Sequence, residues 1–412
     1  MKNLGYIIVG GALALLVGCH AAPDQATAVA TPVAGRAPVM AKDSHAVERA
    51  VGLPFTGYRR FRGTVGGQPV TVELTIGPRE DSRDSATVCE GRYFYDRHPA
   101  GQLLLHGARP YHPQQPVLLA EADAAHPGQP TGRWQASQPV GPLLTGTWTS
   151  PAGQQLPFSL HEDYTDGQGH VAVVQYELLQ EGVEVPCQPE REAGESKAAY
   201  RARTKGRTSS CNRFFVHLLG PDTLRPALRT LQCPVPARRQ QQMREEVEVT
   251  GCTQLEHQLA VSYNEHGLLS VASFDNEDYE GAVHPAHGAG TTTYDLRTGR
   301  PLAIAALIRP GTDSILSRLI TQHLAQDEEV MYDELLNHFV TDSTLAPLPR
   351  QGLGIADEGL GFTYTTYEIL PYVHPPVTLV VPWRELLPLL RPDSPVARML
   401  RERGLWQLRK SR

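Results

Sequence analysis

The sequence predicts an α+β protein. An N-terminal antiparallel, β-barrel-like meander is followed by an α+β domain with an antiparallel sheet and packed helices. Three observations predict it. Between residues 54 and 163, apolar and polar residues alternate at period two, with turn signals every 10–15 residues. Beyond residue 250, strand-like pairs are followed by segments with helical apolar spacing. The 37 Gly and 34 Pro among 412 residues suit many turns between short elements rather than long bundles.

In the first region, Val70, Val72, Leu74 and Ile76 alternate with Thr71, Glu73 and Thr75. About eight strands are expected, near 58–65, 69–76, 86–95, 101–107, 116–122, 131–136, 143–149 and 155–161. Short connections make neighbours antiparallel, and eight strands in so short a stretch suit a closed or strongly curled meander. A weak repeat places an aromatic residue two positions after glycine: Gly91-Arg92-Tyr93, Gly132-Arg133-Trp134 and Gly146-Thr147-Trp148. These rings are either a ligand platform or the packing of a small barrel core, and core packing is the plainer reading. Glu121 and Glu162 have no readable partner in the sequence, so no glycosidase-like pair is assigned.

In the second region, Val171 to Leu178 reads as a buried strand. Residues 186–208 alternate in charge sign and read as a solvated loop or short helix. Asn212 to Leu219 reads as a helix ended by Gly220-Pro221, and 237–248 as helical or loose. Leu255 to Tyr263 and Leu268 to Phe274 form a hairpin around Asn264-Glu265-His266-Gly267. Thr291 to Leu296 and Pro301 to Ala306 form a second around Arg297-Thr298-Gly299-Arg300. A helix follows with Ile315, Leu316, Leu319, Ile320, His323 and Leu324 on one face, and another carries Met331 to Phe339. Strands are expected near 352–356, 362–367 and 377–381, then helices near 383–390 and 396–405.

Composition and motifs exclude several function classes. The net charge is −6 and the pI about 6.2, without the basic excess of a general nucleic-acid binder. The chain has no Gly-x-Ser-x-Gly, His-Glu-x-x-His, Cys-x-x-Cys or glycine-rich phosphate loop. No catalytic residue and no cofactor is therefore assigned. His284 and His287 are spaced as a metal pair, with a third ligand to come from Asp275, Asp278 or His266. A loop whose imidazoles bond the backbone is preferred, and no metal is assigned.

The N-terminus reads as an address. Met1-Lys2-Asn3 is positive, and Leu4 to Val17 is apolar or glycine, shorter than the ~20 residues of a membrane-spanning helix. Leu16-Val17-Gly18-Cys19 resembles the bacterial lipoprotein lipobox, in which the cysteine thiol is diacylated and becomes the new N-terminus. The resemblance implies a signal peptide at 1–18, lipidation (palmitate) of Cys19 and anchoring in the cell envelope. His20, rather than Asp, after the cysteine implies the outer membrane if the cell is Gram-negative. Residues 19–53, rich in Ala, Pro, Thr and Val, read as a flexible tether. The expected organisation is thus 1–18, 19–53, a β-domain at 54–163 and an α+β domain at 168–405.

Four ordered motifs lie in residues 279–386: Tyr279-Glu280-Gly281-Ala282-Val283-His284, Tyr294-Asp295-Leu296-Arg297-Thr298-Gly299-Arg300, Gly359 to Tyr372 with Tyr367-Glu368-Ile369-Leu370-Pro371-Tyr372, and Val381-Pro382-Trp383-Arg384-Glu385-Leu386. They resemble the C-terminal domain of unknown function shared by lysozyme-sensing anti-sigma factors, some peptidoglycan deacetylases and many envelope lipoproteins. The first motif departs from the family by Gly to Ala and Ala to Val, and the second by Lys to Arg. The resemblance implies a non-catalytic module that binds a lysozyme-like envelope protein or a glycan such as peptidoglycan. The alternative is a cell-wall hydrolase or metal-dependent enzyme, although no deacetylase motif is present. Tyr279, His284, Tyr294, Tyr367 and Tyr372 are the candidate binding surface, with sheet packing as the competing role for these tyrosines. Export permits disulfides, and with Cys19 lipidated five cysteines remain. The expected pairs are Cys187–Cys211 and Cys233–Cys252, with Cys89 buried in a strand.

Overall fold

The computed structural model describes residues 56–406 apart from 79–85, 99–101, 124–125, 167, 188, 190, 220–234, 250–251, 328–338, 340–343 and 350–351. The signal, Cys19, the tether, Cys233 and most of the helix expected at Met331 to Phe339 lie outside the described residues.

Eight strands form the expected barrel: β1 (Thr56–Val65), β2 (Gln68–Pro78), β3 (Thr87–Tyr95), β4 (Leu103–Gly107), β5 (Leu118–Asp123), β6 (His126–Ala136), β7 (Leu143–Thr149) and β8 (Gln155–Glu162). Each pairs antiparallel with the next, and β8 returns to β1 from Phe61↔Glu162 to Val65↔Phe158, closing the barrel. The alternation in β2 puts Val70, Val72, Leu74 and Ile76 into a core with Phe61, Leu105 and Leu160. Gly66 and Gly67 make the two-residue β1–β2 turn with φ of 56° and 82°, the left-handed pair such a hairpin needs.

The glycine–aromatic repeat is core packing with a specific target. Tyr93 Oη, Trp134 Nε1 and Trp148 Nε1 all donate to Oε2 of buried Glu121, at 2.8, 2.8 and 2.6 Å. Thr131 donates to Oε1 at 2.8 Å. A Cβ on Gly132 would lie 2.4 Å from Trp148 Nε1, so glycine leaves room for the indole that reaches this carboxylate.

Beyond the barrel run β9 (Gln175–Pro186), α1 (Lys197–Thr204), β10 (Thr208–Leu219), α2 (Pro236–Val249), β11 (Thr253–Glu265), β12 (Leu268–Tyr279), β13 (Ala286–Asp295) and β14 (Arg300–Pro301). These strands make a second sheet, antiparallel except for β10–β11, which α2 connects in parallel. β1 belongs to both assemblies. Its first residues pair with β9 from Thr56↔Leu178 to Tyr58↔Tyr176, and its later ones close the barrel.

Two expected elements are corrected. Asn212 to Leu219 is not a helix but most of β10, because its aromatic and β-branched run finds a full-length ladder on β9. Pro301 to Ala306 is not a strand: β14 stops at Pro301, and Ile304–Leu307 form a helical turn, α3.

The cysteine pairing is corrected as well. Cys187 is joined to Cys252, with Cα atoms 4.9 Å apart. The amide of Cys187 donates to the Arg207 carbonyl, so it lies below the start of β10, whereas Cys211 lies farther up, opposite Val183 and Leu255. Cys89 is a buried thiol in β3, and Cys211 is a buried thiol in β10.

A third layer comprises α4 (Asp313–Asp327), β15 (Leu353–Ile355), β16 (Gly359–Tyr364), β17 (Val377–Pro382), α5 (Trp383–Leu386) and α6 (Pro395–Glu402). The small antiparallel sheet β15-β16-β17 and these helices share one apolar core that includes Leu316, Ile320, Phe362, Tyr364, Val381 and Leu400. Hydroxyls stitch this layer to the second sheet. Ser270 and Thr293 bond each other at 2.7 Å, Thr293 donates to the Leu353 carbonyl at 2.6 Å, and Thr291 meets Thr363 at 2.9 Å.

Candidate functional site

The structure brings together three of the five predicted surface residues: His284, Tyr367 and Tyr372. They come from two loops, one after β12 and one between β16 and β17. Ile369 and Leu370 sink into the third-layer core and anchor the second loop. Its base is tied by Glu368, whose carboxylate accepts from the Thr365 amide at 3.1 Å, and by Thr365 Oγ1, which accepts from the Ala289 amide at 3.2 Å. Tyr367 has a φ of 65°, a left-handed conformation rare for an aromatic residue, and its side chain stands out, 54% exposed.

The rings form a continuous platform. Tyr372 stacks on His284 at 3.6 Å and on His287 at 5.6 Å between centroids. His287 in turn stacks on Phe274 of β12 at 6.2 Å, and Tyr367 tilts against Tyr372 at 6.0 Å. Val283 (98% exposed) and Val373 (81%) stand next to His284 and Tyr372 in the chain. Nδ1 of His284 lies 2.8 Å from the Pro285 carbonyl, which can only accept, so Nδ1 carries the proton. Tyr367 Oη lies 3.4 Å from His284 Nε2, and Tyr372 Oη 3.1 Å from His287 Nε2. The imidazoles thus bond phenols and a backbone carbonyl. Their suggested partners are placed elsewhere: Asp275 bonds His257, His266 bonds Glu402, and Asp278 lies opposite Gln254.

The other two predicted residues serve the fold. Tyr279 packs beside the Met243 and Val247 cluster, and its hydroxyl donates to Glu277. Tyr294 packs against the Leu269 and Leu296 cluster. Three further motif residues are structural. Tyr364 is buried and donates to the Pro347 carbonyl at 2.7 Å. Asp295 is buried and accepts from the Arg297 amide, the Thr298 hydroxyl and Arg398. Trp383 Nε1 donates to the Asp357 carbonyl at 3.0 Å. Sequence reasoning missed Phe274, Val283 and Val373; their adjacency to motif loops was the available signal.

A second feature had no sequence signal. A cleft of about 560 Å³ opens where the barrel, the second sheet and the third layer meet, lined by Tyr58, Tyr176, Tyr263, Glu73, Arg92 and Glu265. The rings of Tyr58 and Tyr176 stack at 5.5 Å. Arg92 pairs with both Glu73 and Glu265. The Tyr263 hydroxyl is buried without a hydrogen-bond partner, and burial pushes both the Tyr58 and Tyr263 phenols well above their ordinary range, Tyr58 further through the neighbouring Glu73.

Comparison with known proteins gives the following. Residues 305–384 match a family model described as a protein of unknown function, DUF3298. A DUF3298-family protein from Bacteroides fragilis is similar at 15% identity, covering 55% of this chain and 97% of its own, with a TM-score of 0.43. One from Pseudomonas aeruginosa is similar at 15% identity, covering 52% and 94%, with a TM-score of 0.37. No curated protein matches the sequence. No helix among the described residues is long and apolar enough to cross a membrane.

Proposed function

We propose that the chain is a lipid-anchored cell-envelope protein, held through Cys19, whose folded part is a non-catalytic module for a lysozyme-like protein ligand. The observation that carries this is the platform of Phe274, His284, His287, Tyr367 and Tyr372, flanked in the chain by exposed Val283 and Val373. Aromatic rings held by stacking give a partner large contact area with little ordering entropy, and solvent-exposed apolar residues of this kind mark protein-binding surfaces. Hydrolysis is less well supported, because the hydrogen bonds made by both platform imidazoles go to phenols and a carbonyl rather than to carboxylates.

A glycan ligand is a second reading, favoured by the cleft: the buried Tyr263 hydroxyl, without a partner, lines a space large enough for a sugar unit. Binding of the full chain to immobilised lysozyme and to peptidoglycan fragments separates the two. Tyr372→Ala should weaken protein binding by about 2 kcal/mol, roughly 30-fold, with the protein still folded by circular dichroism. Glycan binding sensitive to Tyr263→Phe and indifferent to Tyr372→Ala would transfer the function to the cleft. Labelled palmitate should enter the wild-type chain and not Cys19→Ser.

A further inference from the structure

We propose that Cys211, Glu246 and His257 form a binding site for one Zn²⁺-like divalent cation between α2 and the second sheet. The topology creates it. β10 and β11 run parallel with Cys211 opposite Leu255 and Arg213 opposite His257, so Cys211 and His257 share one face of the sheet. α2 packs on that face through Met243 and Val247, which join Cys211, Val183, Phe215 and Leu255 in one apolar cluster. Glu246, next to Val247, brings a carboxylate to the same place.

Cys211 Sγ lies 3.9 Å and His257 Nε2 3.8 Å from Glu246 Oε2, and all three ligand atoms fall within 4.8 Å of one another. A tetrahedral zinc ion holds S, N and O ligands at roughly 2.3, 2.0 and 2.1 Å, so its ligand atoms sit about 3.5 Å apart. Side-chain rotation closes that gap. One sulfur, one imidazole nitrogen and one carboxylate oxygen suit zinc rather than calcium or magnesium, and water completes the fourth position.

A second, independent observation points to a ligand. His257 Nδ1 is 2.7 Å from Asp275 Oδ1 on β12. A carboxylate only accepts, so Nδ1 carries a proton and Nε2 is the nitrogen turned to the site. That Nε2 is buried without a hydrogen-bond partner. A carboxylate holding the far nitrogen of an imidazole is the usual support of a metal-bound histidine. The sulfur is wholly buried, which argues against a Cys–His–Asp nucleophile, since no substrate reaches it. Burial pushes the Cys211 thiol up to about 11, so in the metal-free protein it is neutral. On binding, the S–H bond breaks, the proton leaves to solvent, and the thiolate bonds the ion.

Arg213 Nη2 now lies 3.0 Å from Glu246 Oε2 and supplies the cationic charge there. Its side chain is partly open to solvent and swings outward as the ion enters. Arg213 is therefore a competitor, and removing it should tighten metal binding.

The test is titration of the full chain, disulfide intact, with Co²⁺ and then Zn²⁺. The expected result is one Co²⁺ per chain with thiolate-to-cobalt charge-transfer absorption and tetrahedral visible bands, both displaced by Zn²⁺. Cys211→Ser should abolish the charge-transfer band. Asp275→Asn, at a partly exposed position where folding is not at stake, should weaken binding roughly 10–100-fold, and Arg213→Ala should strengthen it. Absence of the charge-transfer band in the wild type overturns the proposal. So does an affinity unchanged in both Asp275→Asn and Cys211→Ser.

Discussion

Glu121 sits alone in the sequence, yet four donors converge on it inside the barrel. Removing the carboxylate strands Tyr93 and Trp134, which are buried, along with the partly buried Thr131 and Trp148. Glu121→Ala should lower unfolding free energy by about 3 kcal/mol in urea titration. Glu121→Gln should cost less, because its oxygen still accepts while its amide faces donors. Tyr367 presents the opposite case, a residue whose backbone is strained and whose side chain is exposed. Tyr367→Gly relieves the left-handed φ and should leave stability unchanged or higher by up to about 1 kcal/mol. The same change should weaken ligand binding, separating fold from function at one position.

Among elements, α4 and α5 are tied by one charged contact. His323 Nε2 lies 2.9 Å from Glu385 Oε2, and this hydrogen bond, with the imidazole's charge, holds the Glu385 carboxyl below its usual range. A depressed folded pKa contributes stability above the unfolded value of about 4.3 and loses it as pH falls through the folded value. The stability difference between wild type and Glu385→Gln should therefore be largest near neutrality and vanish toward pH 3. The legibility of elements follows their physics. Barrel strands could be read because one face is core and the other solvent, so alternation marks each one. β10 could not: Asn212 to Leu219 shows no clean period, because helix α2 covers part of one face and only the β9 ladder decides its state. Likewise the motif tyrosines could be found but not sorted. Tyr364 and Tyr367 stand three apart, and only the left-handed turn after β16 sends one inward and the other out. The Cys211, Glu246 and His257 cluster joins three elements by register alone, which composition does not reveal.

At the scale of the whole molecule, β1 is the shared member. Its later half closes the barrel on β8 while Thr56 to Tyr58 pair with β9. The cleft wall follows from this, since Tyr58 stacks on Tyr176 across the join. The pairing has a further consequence for solubility. On the side of β9 away from β10, β1 is what occupies Tyr176, Glu177 and Leu178. A chain lacking 56–163 should present these as an open template for strand addition by a second copy, and light scattering should detect self-association absent from the full protein. In the full chain the barrel's first strand covers that short stretch of edge, so the barrel withholds three residues of template from a second copy.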